Sequence, residues 1–571
     1  MRLKVFHVII LVFFLVALTG LVYTQILKGG FYYRLSKNNC IRIIPEVAKR
    51  GLILDRQGEI LADSRISFNL AVIPQELKDK DLTFQLLAQV LGKNPTALEK
   101  EYRKNMNLPF VPVVIDKGIE KKLAIILEQK KEEFPGVIIG PSSERFYPHY
   151  GTNAHILGYL REIDASRIVR LKDYGYKVKD MVGYSGIEEF YDKELRGKDG
   201  GTQIEVDNKS RPIRVIALKP AQKGKDIRLT IDLRIQKIAS ELLEGRRGSI
   251  IVMDAFNGEI LAMVSSPTFN LDVFINQAER GQINKLSKDP NAPFLNRAIS
   301  GLYSLGSVFK TVVAIAALDS AKITEQSHFF CDGKLSLGSR DFNCWSKHDN
   351  QNIKEAIVHS CNVFFYHLGL LLGPELLNKY ALNFGLGTPT GIDLPFELKG
   401  IVPSRTQKRL LRKEAWYQGD TLNFSIGQGD LLVTPLQAVK MMAIIINNGL
   451  IIRPHLIKAI DSKEVNFSEN PSRVNIRSEI LSKLKSYLRE VVGSQTGTAH
   501  ILDMANLSIG GKTGTVQTGE GGRQHAWFVG FCPFEKPKIV FCVFLERGGS
   551  SSESCIIAKK MLEEMIKQGF F

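Results

Sequence analysis

The chain has 571 residues, of which 44% are hydrophobic and 24% charged, and its formal net charge is +17. This length predicts two or three domains, and the composition is that of a globular protein. The positive charge suits an anionic membrane surface or an acidic polymer, although lysine-rich codon usage would also produce it. The sequence has no basic stripe with interleaved aromatic residues, so nucleic acid is not expected as a partner. Seven cysteines are too few, and odd in number, for a disulfide scaffold.

The N-terminus predicts a membrane anchor. Residues 5–22 carry no formal charge and would span roughly 27 Å as a helix, about the thickness of the hydrocarbon core. Arg2 and Lys4 precede this run, so the short tail is expected to stay in the cytoplasm. A cleaved signal peptide is the alternative, but it usually has a shorter apolar core and a clear small-x-small site. We therefore expect a single-pass inner-membrane protein whose chain beyond Lys28 is periplasmic.

The region from about residue 30 to 225 is a second part of the chain, and its sequence has no pattern typical of a catalytic centre. A turn at Gln57-Gly58 separates two predicted short strands. Residues 82–104 and 118–131 have helical spacing. The run at 219–226 is typical of a linker.

The remaining chain alternates apolar strands and helices. Asn257-Gly258 is a strong hairpin signal between apolar runs at 248–253 and 259–265. Further strands are predicted at 507–511, 525–531 and 538–545, and an amphipathic helix at 556–567.

One stretch in this part predicts a nucleophile. Gly306 and Ser307 precede a long apolar run, which indicates a tight turn that opens a buried helix. Lys310 lies three residues on, so its amine is expected on the same face as the Ser307 hydroxyl. A lysine in apolar surroundings loses its proton readily and can then activate the serine. The alternative is a helix cap with a snorkelling lysine.

Two later stretches favour the catalytic interpretation. They are Ser360-Cys361-Asn362 and Lys512-Thr513-Gly514-Thr515. With the first stretch they form, in order, the S-x-x-K, S-x-N and K-T-G set of penicillin-binding proteins and serine β-lactamases. The run at 495–498 is similar to the last motif but lacks its lysine, so we discard it.

The chain resembles class B penicillin-binding proteins, and among them the transpeptidases of cell elongation. The resemblance extends over nearly the whole chain, because residues 49–62 resemble the R-G-x-I-x-D-R-x-G-x-x-L-A signature of the non-catalytic module. Residues 145–148, 155–159, 183–188 and 195–197 match the same module, and residues 416–421, 425–429 and 434–437 resemble the elongation enzymes. One departure is Leu305, where the family usually has proline before the glycine.

The resemblance implies an α+β, or α/β, multidomain fold. Residues 1–28 would form the cytoplasmic tail and transmembrane helix, and residues 29–225 an elongated pedestal of the dimerisation type. Residues 226–571 would form the transpeptidase domain, with a central antiparallel sheet flanked by helices.

The resemblance also implies the roles of the motif residues. Ser307 would attack a stem peptide ending in D-Ala-D-Ala, with Lys310 as its base, while Ser360 relays a proton and Asn362 fixes the substrate and the lysine. The strand Lys512, Thr513, Gly514 and Thr515 would bind the donor, and the backbone N–H groups of Ser307 and Thr515 would hold the oxyanion. A second stem amine would form the cross-link. β-Lactams would leave Ser307 acylated, and D-Ala-D-Ala carboxypeptidase activity would be a side reaction.

The implied partners are peptidoglycan stem peptides, the lipid-linked precursor, the membrane and the elongation complex. The chain has no room for a glycosyltransferase domain, so a SEDS-type glycan polymerase is also expected. A division or sporulation transpeptidase, a serine β-lactamase and a non-enzymatic scaffold are the alternatives. A β-lactamase would need neither pedestal nor anchor, and a scaffold would not need all three motifs.

Four residues between the first two motifs predict a structural zinc site. They are Cys331, Cys344, His348 and Cys361, separated by twelve, three and twelve residues. Cys₃His is a common structural zinc set, and Cys-x₃-His is a close-spaced ligand pair. Some elongation enzymes resemble this pattern with aspartates at two positions. A disulfide or buried thiols are the alternatives, and no organic cofactor is expected.

Overall fold

The structure is a computed structural model. It describes residues 2–33, 41–106, 111–171, 174–176, 178, 180–206, 212–275, 280–467, 472–518 and 523–571. The chain divides into two compact units. One comprises Met1–Gly51, Ser64–Glu144 and Arg196–Gly224, and the other comprises Leu52–Asp63, Arg145–Leu195 and Lys225–Phe571. Two segments that the sequence assigns to the pedestal, 52–63 and 145–195, therefore belong to the same unit as the three motifs.

The N-terminal apolar run is helical. An α-helix covers Arg2–Val22 and continues as a π-helical turn over Tyr23–Leu27. Within the stretch Leu3–Leu27, an 18-residue window has a mean hydropathy of 2.8 and none of it is buried. A helix of 25 residues is long enough to cross the hydrocarbon core, so this segment is a candidate membrane span.

The first unit contains a small antiparallel sheet, whose strands in spatial order are Ile41–Glu46, Gly200–Val206 and Pro212–Lys219. Besides the N-terminal helix, the described part of this unit contains the α-helices Lys80–Leu91, Pro95–Asn105 and Lys121–Gln129 and the short 3-10 turns Pro74–Glu76 and Lys131–Glu133. The strand Val113–Ile119 pairs with residues 68–72 of the long strand Ile60–Val72, which the strand Val137–Phe146 also joins.

Both helical predictions in this unit were too long. The run at 82–104 is divided because Gly92 adopts a left-handed conformation (φ +63°) that ends the first helix, and Asn94 caps the second. In the run at 118–131, the first two residues end a strand and the helix covers only Lys121–Gln129. The turn predicted at Gln57-Gly58 is confirmed.

The second unit is built on a five-stranded sheet in which every pairing is antiparallel, as predicted. The strands in spatial order are Ile260–Ser266, Gly248–Asp254, Ile539–Leu545, Gln524–Cys532 and Gly510–Gln517. The hairpin predicted at Asn257-Gly258 joins the first two of these. The strand that carries the K-T-G motif lies at the edge of the sheet, so one side of its backbone has no strand partner within it.

Every residue of the strands Ile260–Ser266 and Ile539–Leu545 is buried. Both faces of the sheet are therefore covered, and helices cover them. The first and last helices of the domain, Leu233–Leu242 and Ser551–Lys567, pack against each other and the sheet. A second pair, Pro435–Ile446 and Ser478–Gly493, does the same.

The helices that surround the first two motifs are Lys310–Asp319, Ile353–Val358, Asn362–Asn383, Arg405–Arg412 and Gln418–Ser425. Between them lie two small hairpin-like pairs, Phe329–Cys331 with Asp349–Gln351 and Lys334–Leu337 with Arg340–Asn343. A further mixed sheet contains Ile53–Leu54, Ile227–Leu229, Ile457–Ile460 and Lys463–Glu464. Leu160–Glu162 pairs with Met181–Gly183, and the short helices are Ala154–Leu157, Ala165–Leu171, Gly186–Phe190, Asp192–Arg196, Asp272–Ile275 and Arg280–Ser287.

Candidate active site

The predicted nucleophile lies in a tight turn. Gly306–Phe309 forms a 3-10 turn that leads into the buried helix Lys310–Asp319, and Ser307 is half-buried within it. Gly306 has a φ of +60°, and a Cβ there would lie 2.7 Å from Val516 Cγ2. Its N–H donates to Gly427 O at 2.8 Å. The turn therefore requires glycine at this position, and leucine in place of the preceding proline does not prevent it.

Lys310 joins the first motif to the second. Its side chain is fully buried, and Nζ donates to Asn362 Oδ1 at 2.6 Å, Ser360 O at 2.8 Å and Ser360 Oγ at 3.3 Å. Burial lowers the pKa of Lys310 to about 8. Within the described residues these three atoms are its acceptors, and the Ser307 hydroxyl is not one of them. Catalytic hydrogen bonds are often long in a free enzyme and shorten only with substrate.

The second motif is held by the helix that it opens. Ser360 has a φ of +55°, a conformation that costs energy for a residue with a side chain. Cys361 follows as the N-cap of Asn362–Asn383, and its Sγ accepts the Phe364 N–H at 3.5 Å. Cys361 is fully buried.

The third motif packs against the turn Gly306–Phe309, which carries Ser307. A Cβ on Gly514 would lie 3.0 Å from both Leu305 O and Val308 Cγ2. The segment that carries Ser307 therefore occupies the space that a side chain at Gly514 would need. Thr515 is half-buried, whereas Lys512 and Thr513 are buried.

Lys512 has weak hydrogen bonds in the free protein. Its Nζ lies 3.4 Å from Thr513 O and from Thr513 Oγ1. Burial, and then the charge of Lys310, lower the pKa of Lys512 well below its usual value. A carboxylate bound beside this amine would favour its charged form.

Sequence reasoning missed one residue of the site. Thr498 Oγ1 lies 2.8 Å from Thr513 Oγ1, and the Thr498 N–H donates to Val358 O at 3.3 Å. In the same turn, Thr496 Oγ1 lies 3.1 Å from Nε2 of His359, the residue before the second motif. The discarded run at 495–498 is therefore not a K-T-G motif, but it links the second motif to the third. No spacing rule in the sequence predicts this link.

The four predicted metal ligands lie together. The Sγ atoms of Cys331, Cys344 and Cys361 and a ring nitrogen of His348 all lie within 4.8 Å of one another. His348 Nδ1 is 3.5 Å from Cys344 Sγ and 3.6 Å from Cys331 Sγ. Tetrahedral zinc, with bonds of roughly 2.0–2.3 Å, separates its ligand atoms by roughly 3.5–3.8 Å. The donor set and the Nδ1–sulfur distances therefore fit zinc.

The cluster touches the second motif directly. The Asn362 N–H donates to Cys344 Sγ at 3.1 Å. Hydrogen bonds from the Cys361 thiol and from backbone N–H groups, including that of Asn362, lower the pKa of Cys344 below its usual value. All three cysteines are free thiols in the structure. A thiolate is the form that binds metal.

Comparisons with known proteins agree with this geometry. Residues 248–567 match the family described as "Penicillin binding protein transpeptidase domain", and residues 45–229 match "Penicillin-binding Protein dimerisation domain". The chain is 31% identical to the peptidoglycan D,D-transpeptidase MrdA of Haemophilus influenzae, covering 96% of this chain and 90% of that one.

Two solved structures are also similar. One is a complex between penicillin-binding protein PBP2 and MreC from Helicobacter pylori, with a TM-score of 0.84 and 30% identity over 93% of this chain and 99% of that chain. The other is described as "Structural coordination of polymerization and crosslinking by a peptidoglycan synthase complex", with a TM-score of 0.74 and 29% identity over 99% and 98%. The fold, the ordered motifs and these matches show that the chain belongs to the penicillin-binding protein family, with a dimerisation domain and a transpeptidase domain.

Proposed function

We propose that the chain is the peptidoglycan D,D-transpeptidase of cell elongation, and that it acts through an acyl-enzyme on Ser307. The observation that carries this proposal is the buried amine of Lys310, hydrogen-bonded to Ser360 and Asn362 one turn from Ser307. The relative named MrdA is a peptidoglycan D,D-transpeptidase, which supports the same reaction here.

In the first half-reaction, a donor stem ending in D-Ala-D-Ala adds to the free edge of the strand Gly510–Gln517. Lys512 and Thr513 hold its terminal carboxylate. Lys310, in its neutral form, takes the Ser307 proton, and the serine attacks the penultimate carbonyl. The backbone N–H groups of Ser307 and Thr515 stabilise the oxyanion.

The first half-reaction ends when the C–N bond to the terminal D-Ala breaks. Ser360 passes its proton to the departing amine and takes the proton from Lys310, which is then neutral for the second half-reaction. The amine of a second stem then attacks the acyl carbon. The new C–N bond forms the cross-link as the bond to Ser307 Oγ breaks. Water in place of the amine gives D-Ala-D-Ala carboxypeptidase activity.

The reaction is tested with purified protein, a synthetic donor stem ending in D-Ala-D-Ala and a stem tripeptide as acceptor. Wild type releases D-Ala and forms the cross-linked product, whereas Ser307→Ala does neither, because it lacks the nucleophile. D-Ala release without any cross-link, at every acceptor concentration, would indicate a hydrolase and contradict the proposal.

The likeness to structures of PBP2 with MreC and of a peptidoglycan synthase complex supports action within an elongation complex. We infer that a membrane-embedded SEDS-type polymerase supplies glycan made from the lipid-linked precursor. β-Lactams, which imitate D-Ala-D-Ala, are the expected inhibitors.

We also infer that the helix within Leu3–Leu27 anchors the chain in the inner membrane, with the catalytic domain periplasmic. Its apolar surface, exposed along the whole stretch, supports insertion. Alkaline carbonate should therefore leave the protein in the membrane fraction. Protease added to spheroplasts should digest it while a cytoplasmic marker stays intact. Recovery in the soluble fraction would mean that the apolar segment is removed.

For the cysteine–histidine cluster we propose structural zinc, held by Cys331, Cys344, His348 and Cys361. Bound zinc would supply a rigid tetrahedral link between strands Phe329–Cys331 and Asp349–Gln351 and the N-terminus of the second-motif helix. This link supports Asn362, whose N–H reaches Cys344 Sγ, without contact to substrate.

A further inference from the structure

One tryptophan is exposed yet fixed in position. The chain has three tryptophans. Trp527 is fully buried and Trp416 half-buried, whereas 64% of Trp345 is exposed. The indole N–H of Trp345 donates to His359 O at 3.1 Å, and its ring meets the His348 ring edge-on at 5.0 Å. The protein therefore orients a large aromatic ring whose surface remains in solvent.

This ring lies beside the second motif. Its hydrogen-bond partner, His359, directly precedes Ser360. The two residues before Trp345 also touch this motif. Asn343 O accepts Asn362 Nδ2 at 3.2 Å, and Cys344 Sγ accepts the Asn362 N–H. Asn362 Oδ1 also accepts a hydrogen bond from Lys310 Nζ. Asn362 therefore contacts both the segment that precedes Trp345 and the catalytic base.

The position favours the acceptor over the donor. The donor is expected along Gly510–Gln517, with its carboxylate at Lys512. The acceptor must reach the acyl carbon on Ser307 with an amine carried on a methylene chain. An indole face attracts an ammonium group and packs against methylene groups, so both parts of the acceptor suit Trp345.

We propose that the exposed face of Trp345 binds the amine-bearing side chain of the acceptor stem and guides it to the acyl-enzyme. This inference rests on the proposed function and adds a binding residue for the second half-reaction. The bound ammonium first releases one proton to solvent. The neutral amine then attacks, and it passes a second proton through Lys310 to Ser307 Oγ as the C–N bond forms and the ester bond breaks. Trp345 orients the amine and takes part in no bond change.

Binding is tested first, because it does not require turnover. Full-length wild-type protein, acylated with penicillin, is titrated with L-Ala-γ-D-Glu tripeptides ending in L-Lys or meso-diaminopimelate while tryptophan emission is recorded. We expect a saturable change with one of them, which is lost in Trp345→Phe because the reporting indole is absent. The same tripeptide acetylated on its side-chain amine should require a roughly ten-fold higher concentration. Equal effects of free and acetylated peptides, or no change that depends on Trp345, would overturn the proposal.

The ratio of cross-linking to hydrolysis during turnover shows whether Trp345 binds the acceptor or only supports the fold. Trp345→Ala should lower the ratio of cross-linking to hydrolysis roughly ten-fold, while penicillin acylates Ser307 at the wild-type rate. Trp345→Phe should restore most of the ratio, since it keeps an aromatic face. Phe256→Ala is the matched control, because it removes another exposed ring (54%) on the hairpin turn of the sheet. An unchanged ratio in Trp345→Ala, or an equal loss of acylation, would contradict the proposal.

Failure of wild type to acylate would instead count against the proposed function. The emission titration on unacylated protein would still decide whether Trp345 binds the amine.

Discussion

Replacing Lys310 with alanine or methionine should lower the rate of penicillin acylation by roughly 10²–10⁴-fold, the usual contribution of a general base. The amine is fully buried and hydrogen-bonded to Ser360 and Asn362, so no solvent base is expected to take its place. Lys310→Met keeps most of the buried volume, so a folded variant without activity is expected. The measurement is the rate of labelling by a fluorescent penicillin.

A second buried lysine provides the control. Lys440 lies in the helix Pro435–Ile446, with Nζ 3.2 Å from Thr390 O, and it takes no part in the motif contacts. Lys440→Met should therefore acylate at about the wild-type rate. If Lys310→Met also acylated at nearly that rate, another group would have to be the base.

The pH dependence of wild type follows from the same amine. Burial lowers the pKa of Lys310 to about 8, and only the neutral amine accepts the serine proton. The neutral fraction therefore increases with pH, from roughly a tenth at pH 7 to roughly nine-tenths at pH 9. The acylation rate should increase roughly ten-fold over this range in wild type, and this dependence should disappear in Lys310→Met.

Cys344→Ser should remove the metal and weaken the second motif. The substitution deletes one of four ligands and also the Sγ atom that accepts the Asn362 N–H. We expect about one zinc per chain in wild type and none in the variant. The melting temperature should fall by roughly 5 °C or more, and acylation should be slower because Asn362 is less well held.

Cys542→Ala is the matched control for metal analysis. Cys542 is also fully buried, but it lies in the strand Ile539–Leu545 and outside the cluster. The zinc content of the Cys542→Ala protein should equal that of wild type. Wild-type protein without zinc, and with a mapped disulfide between two of the three cluster cysteines, would refute the metal site and leave the transpeptidase proposal standing.

Short motifs in the sequence were enough to nominate the candidate site. Ser307, Lys310, Ser360 and Asn362 were found from local spacing, and the fold brings their segments together. The Cys-x₃-His pair was evident for the same reason, because both ligands lie on one short loop. Cys361 could be included because it completes a Cys₃His donor set with the other three residues.

Contacts between residues that are distant in sequence and belong to no motif pattern could not be predicted. Thr498 reaches Thr513 across fifteen residues, and its run looked like a failed copy of a motif. The packing of Leu305 and Val308 against Gly514 could not be predicted either, because these residues are distant in sequence. The single helix predicted at 82–104 ended early at Gly92, where a left-handed residue stops the helix although the apolar spacing continues.

Division of the chain into units was also beyond sequence reasoning. Residues 52–63 and 145–195 lie far apart in the chain, yet both belong to the unit that contains the five-stranded sheet. Ile53, Tyr147 and Ile187 are part of the same buried cluster as the catalytic helix. Burial of this kind depends on long-range packing, which has no periodic signal in the sequence.

The most direct test of the central claim is mass spectrometry of the protein after reaction with penicillin. The account predicts one penicilloyl group per chain, located by digestion on the peptide that contains Ser307, and no adduct in Ser307→Ala. An adduct on another residue, or none on folded wild-type protein, would contradict it.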